Sequence, residues 1–131
     1  MPRDATDLAS LLTDPSLLAC KAYVAGEWID ADDGATVDVT NPARGDVICS
    51  VADLGRAETA RAVAAAEEAM EDWRALTAKA RAQVLRRWFD LMMEAQEDLA
   101  VILTTEQGKP LAEARGEVAY GARSNGLQTH C

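Results

Sequence analysis

Cysteine, histidine, phenylalanine and clustered positive charge are all scarce in this chain of 131 residues. Its three cysteines, Cys20, Cys49 and Cys131, are odd in number and form no CxxC, which argues against a disulfide framework or a zinc site. No basic block exceeds two residues and the net charge is −9, so phosphate backbones would be repelled and no nucleic-acid partner is expected. No apolar run approaches the roughly 20 residues that span a bilayer, so no membrane partner is expected either. The first 20 residues carry acidic side chains and lack a continuous apolar centre, which makes a poor signal peptide and points to the cytoplasm. Neither GxGxxG nor GxxxxGK occurs, so no glycine-rich loop for a dinucleotide or phosphate is recognisable. Internal repeats and low-complexity linkers are also missing.

What is present is globular in character. The apolar share is 49%, much of it alanine, and the length suits one domain or a piece of one. Residues 76–110 carry the longest helical pattern. Leu85, Trp88, Met92, Ala95, Leu99 and Ile102 recur at steps of 3, 4, 3, 4 and 3, one face of a helix. Thr77 is a good N-cap, Gly108 suits a left-handed position just past the end, and Pro110 prevents continuation. The polar run 94–98 marks a possible split near Gln96. Such a face is ordinarily a core stripe.

Before this stretch the period changes. Residues 1–21 read as a helical arm, with Asp4 or Thr6 as a cap and Pro15 opening a second turn. Over 22–51 the pattern is that of strands. Tyr23-Val24 and Trp28-Ile29 flank a tight hairpin turn, Thr36–Val39 alternates, and Asn41-Pro42-Ala43-Arg44-Gly45 forms a corner before a third strand at 47–51. Ala25 occupies a turn position where positive φ suits Asn or Gly, at a small cost in stability. Cys49 sits mid-strand among apolar residues and reads as a small buried hydrophobe. Residues 56–75 form a helix with Val63, Ala66, Met70 and Trp73 on one face, expected to pair antiparallel with the helix that follows. Pro110 opens another helix over 110–122. Its Glu113 and Glu117 lie one turn apart, but without a nearby His or metal ligand they read as a solvated face.

Four stretches together, AYVAGEW, DVTNPARGDVI, WRALTAKARAQVLRRWFDLMMEAQEDLA and LTTEQGKPLAEARGEVAYGA, resemble the aldehyde dehydrogenase superfamily, and within it the succinate-semialdehyde dehydrogenases. The resemblance runs over about residues 22–122. It implies an α/β fold: the N-terminal part of the aldehyde dehydrogenase fold, a β-hairpin region followed by three helices, belonging to an incomplete Rossmann-type cofactor domain. Full members are several times longer, and usually homo-oligomeric. Their chemistry uses a cysteine nucleophile, oxyanion donors, a glutamate and NAD or NADP, all placed C-terminal to the part matched here. The resemblance therefore implies no catalytic, cofactor-binding or metal residue in this chain, no cofactor of its own, and no activity. The adjacent His130 and Cys131 do not resemble the family's cysteine loop and lack a scaffold to hold their geometry. Some members hold a monovalent cation near positions matching Glu106 and Thr40; here Glu106 reads as a helix-end surface residue.

Two further expectations follow. Apolar stripes and strand edges left uncovered predict dye binding and self-association. Residues 123–131 match neither the family's continuation nor a helical period. One codon assignment for them, shifted by a base, reads V-E-W-A-A-D-A-L, close to that continuation, so this tail is expected to be out-of-frame translation after a small insertion or deletion near codon 123.

Overall fold

The structure, a computed structural model, describes residues 8–127, with side chains described through residue 124. Two 3-10 turns, Leu8–Leu11 and Pro15–Leu17, lead into strands β1 (Ala22–Val24), β2 (Glu27–Ile29), β3 (Thr36–Thr40) and β4 (Val47–Ala52). Helices α1 (Arg56–Ala75), α2 (Ala78–Glu94), α3 (Gln96–Gln107) and α4 (Leu111–Leu127) follow. The strands make two separate antiparallel pairs, β1 with β2 and β3 with β4.

The first pair closes on a two-residue turn in which Ala25 and Gly26 both have positive φ, 52° and 88°. That is the mirror-image turn whose twist suits a hairpin, and Ala25 accepts it against its own preference. Tyr23 stands opposite Trp28, with ring centroids 5.1 Å apart. In the second pair the register shifts between Val39 and Thr40, so Val39 faces Cys49 while Thr40 faces Val47. The bulge feeds the Asn41 corner. Asn41 Oδ1 accepts from the Ala43 amide at 2.9 Å, and the Gly45 amide donates to the Asn41 carbonyl at 2.7 Å. The turn chemistry read from this corner is thus realised.

Helix ends follow their caps. The Ala80 amide donates to Thr77 Oγ1 at 3.1 Å, starting α2. Gly108 ends α3 in the left-handed region at φ 80°. The helical stretch within residues 76–110 divides at the split marked near Gln96, giving four helices rather than three, because Ala95 leaves helical geometry at φ −93°, ψ 10°. Glu97 and Asp98 then lie in the first turn of a new helix, where carboxylates face the positive end of its dipole. The last helix runs to Leu127, five positions past the expected end at 122. Its Ser124 hydroxyl bonds back to the Tyr120 carbonyl at 3.1 Å, a local bond available to a small polar side chain without any apolar period.

Packing departs from expectation at α1. The antiparallel pairing of α1 with α2 does not form. Instead α2 and α3 both pack on α4, and the first 3-10 turn packs on α3. The reason lies in α4: Ala114, Val118 and Ala122 recur every fourth residue and are buried, giving a narrow face that two helices approach closely. On α1, Val63 is 62% exposed and Met70 42%. The first turns of α1 are tied down where buried Glu58 accepts from the Asp32 amide at 3.2 Å and Arg61 forks onto Asp32 at 2.6 and 2.9 Å, and at its far end the Arg74 carbonyl accepts from Arg81 at 3.5 Å. The buried apolar residues are Leu8, Leu12, Ala31, Ala100, Ala114, Val118 and Ala122, and among the described residues no large side chain is fully buried. A chain this rich in apolar residues has therefore built a core mostly of alanine.

Candidate functional site

The residues that chemistry points to gather at one corner, where the end of α3 meets the bulge and turn of the second sheet. Gly108 makes the approach possible: a Cβ there would fall 2.9 Å from Pro42 Cγ. Thr40 lies at the bulge before this turn. Glu106, two residues before Gly108, is an exposed residue whose carboxyl loses part of its hydration. That loss pushes its pKa above the ordinary carboxylate range. Its charge is felt at Cys49 on β4.

Cys49 has a second neighbour that sequence reasoning missed. Cys20, in the segment just before β1, is near enough to help hold its thiol protonated. The Cys20 carbonyl accepts from the Ala52 amide at 3.0 Å, which ties that segment to the end of β4. Cys49 is half-buried rather than fully buried, and burial, with Cys20 and Glu106 nearby, pushes its thiol up to about 11. Almost none of it is thiolate at neutral pH, so Cys49 is no activated nucleophile. No local signal could have paired two cysteines so far apart in sequence.

The other candidates are occupied structurally. Glu117 pairs with Lys109, and Glu113 stands exposed, so the two carboxylates do not act together. Arg115 forks onto Glu97 at 2.7 and 2.9 Å, which holds the Glu97 carboxyl below its usual range. Asp98, read only as part of a polar run, is buried and accepts from the Thr13 and Asp14 amides at 2.9 and 2.8 Å. These bonds pull its pKa down and pin the N-terminal arm to α3. His130 and Cys131 lie outside the described residues. Among the described residues no group of three or more His, Cys, Asp or Glu is placed to hold a metal ion, and no helix is long and apolar enough to cross a membrane.

Comparison with known proteins gives this arrangement its context. Residues 28–126 match the aldehyde dehydrogenase family model. The chain belongs to the aldehyde dehydrogenase family. A glutarate-semialdehyde dehydrogenase of Pseudomonas putida is 60% identical over 85% of this chain, but only 23% of that protein is covered. A succinate-semialdehyde dehydrogenase [NADP(+)] of Escherichia coli is 56% identical over the same shares. Among solved structures, a succinate-semialdehyde dehydrogenase from Burkholderia pseudomallei superposes with a TM-score of 0.82 at 58% identity, covering 85% of this chain and 23% of that one. The chain thus spans about a quarter of the length of the relatives it matches. The two small sheets and four helices are the N-terminal portion of the aldehyde dehydrogenase fold.

Proposed function

We propose that this chain is the N-terminal portion of an NAD(P)-dependent semialdehyde dehydrogenase that oxidises succinate semialdehyde to succinate, and that the portion by itself is inactive. The observation that carries the reading is the 56–60% identity, over 85% of the chain, to relatives named for succinate and glutarate semialdehydes. Glutarate semialdehyde is the alternative substrate, one methylene longer with the same terminal carboxylate. The whole protein is a cytoplasmic homo-oligomer in this reading, and residues 123–131 are out-of-frame.

Two features support inactivity of the portion on its own. Cys49 keeps its proton at neutral pH, and the sequence carries no glycine-rich dinucleotide motif. The role of this portion is to scaffold the rest of the fold. A chimera tests that role: residues 22–122 of this chain replace the matching segment of the Escherichia coli relative. The chimera is expected to retain NADP-dependent oxidation of succinate semialdehyde, while the 131-residue chain alone reduces neither NAD nor NADP. A soluble, folded chimera without activity, or saturable turnover by the chain alone, overturns the reading. The nucleotide sequence downstream of codon 122 tests the frame.

A second reading is favoured by the uncovered apolar side chains of α1 and α2: a non-catalytic module that associates with a full-length relative. Size-exclusion chromatography of the two together separates these readings. A module shifts into the complex, whereas an inactive portion runs alone or aggregates.

A further inference from the structure

We propose that α1 of one copy of this chain docks along the apolar groove on α2 of a second copy, and that a two-fold dimer makes this contact twice. Within one chain the two helices do not pack along each other. On α1, Val63 and Met70 are exposed two turns apart. On α2, Leu76, Val84, Trp88 and Leu91 are all exposed and line a groove of about 640 Å³. Both stripes keep helical spacing, and each suits the other as cover. The joint prevents that pairing inside one chain. Leu76 and Thr77 are extended between the helices, at ψ 146° and 155°. Arg81 locks the joint by donating to the Leu76 carbonyl at 2.6 Å, and Asp32 holds the other end of α1 through Arg61. A second copy is under no such constraint.

Charge identifies the occupant. Residues 67–74 of α1 carry Glu67, Glu68, Glu71 and Asp72 against Arg74 alone, whereas residues 78–87 of α2 carry Lys79, Arg81, Arg86 and Arg87 and no carboxylate. Among the described residues no salt bridge uses any of those four carboxylates. Glu71 and Asp72 near the end of α1, and Lys79 and Arg81 at the start of α2, also sit where their own helix dipole disfavours them. Neither helix is served by its own charges; a contact between the two is. Laid antiparallel, the acidic end of α1 meets the basic end of α2. Arg87, a wall of the groove, reaches Glu94 only at 3.8 Å and is available to the incoming helix. Each copy carries −9 overall, so two copies attract only where these blocks meet, which sets the register. Each copy offers both helices, so the surface is self-complementary and the assembly closes at two. The exposed apolar side chains of both copies put the buried surface on the order of 1,000 Å², the size a specific interface needs. The dimer does not depend on the dehydrogenase reading above.

The experiment is sedimentation equilibrium of the full chain, kept reduced, over a concentration series. The parent is expected to follow a monomer–dimer equilibrium. Two variants each reverse one side of the contact at exposed positions: Glu67→Arg with Glu71→Arg on α1, and Gln83→Glu with Arg87→Glu on α2. Each alone is expected to dimerise about tenfold more weakly or worse, because like charges then face each other in both contacts. Mixed in equal amounts, the two variants form a heterodimer about as tight as the parent dimer, since both contacts are complementary again. A second measurement needs no variant. In an equal mixture of unlabelled and isotope-labelled parent chains, a carbodiimide joins Lys79 of one copy to a carboxylate within residues 67–72 of the other. A parent that stays monomeric or grows past the dimer overturns the proposal, as does a dimer that neither variant weakens. Variants that stay apart on mixing, or cross-links confined to one isotope, overturn it equally. A complex with the full-length Escherichia coli relative that forms at the expense of the dimer gives the groove to another occupant and overturns it as well.

Discussion

Helix α1 has eight alanines in 20 residues and α4 four in 17, yet it is the helix poorer in alanine that is packed. On α4, Ala114 and Ala122 are fully buried and Val118 nearly so, because α2 and α3 both lie against that face. On α1, a face with larger apolar residues, Val63 and Met70, is left in water. An apolar period guarantees a helix with a side that is better buried, but whether it is buried depends on a partner with a matching surface. The small residues of α4 supply such a surface. Nothing within the described residues supplies one for α1, as fits a chain covering about a quarter of its relatives' length.

The sharpest way to break this contrast is to place the same bulk on both helices. Ala114→Leu forces an isobutyl group into a fully buried position and is expected to cost about 2–3 kcal/mol. Ala60→Leu puts it on an exposed position of α1 and is expected to change stability by less than about 0.5 kcal/mol. Urea denaturation measures both. Equal costs would mean that α4 is not the packed helix.

Gly108→Ala comes next. It strains a left-handed position and drives a Cβ to 2.9 Å from Pro42 Cγ, so it separates α3 from the sheet corner at a cost of about 1–2 kcal/mol. A neutral result by denaturation would show that the corner is not held by this approach.

Much of the packed region was legible because its signals are local. Thr77, Gly108 and Pro110 act through neighbouring amides and carbonyls, and the Ala25-Gly26 turn follows from φ alone. Three features were not legible. The α1–α2 pairing was inferred from a short connection, but the choice of partner is made by surfaces far apart in sequence. The Asp98 anchor joins residues 84 and 85 positions apart, and its carboxylate looked like one more member of a polar run. The nearness of Cys20 to Cys49 likewise depends on the tertiary path. The extension of α4 to Leu127 is a smaller case: a helix already nucleated and packed through Ala122 continues at little cost even without an apolar period.

Asp98 gives the third test. Asp98→Asn removes a charge-assisted acceptor from the Thr13 and Asp14 amides and turns one end into a donor. The expected Tm loss is about 3–6 °C. Because these bonds lower the native pKa of Asp98, its contribution is fully present above the unfolded aspartate value of about 3.9. It is lost as pH falls from there through the lowered native value. The variant and the parent should therefore converge in Tm as pH drops below about 4. A constant gap across that window would assign the loss to packing instead.

The smallest effect on stability is expected where the contrast began, on the open face of α1. Replacing Val63 and Met70 together by Gln keeps helix propensity and removes two exposed apolar side chains. Neither side chain contributes much burial, so the denaturation midpoint should move by less than about 0.5 kcal/mol in equivalent stability. Hydrophobic-dye fluorescence and self-association at fixed concentration should both fall, since the face that drives them has become polar. A matched change on α2, Val84→Gln with Trp88→Gln, should lower them further, because those residues line the other uncovered groove, together with Leu76 and Leu91. If the α1 variant lost stability and kept its dye binding, α1 would be a packed helix and the contrast with α4 would be wrong.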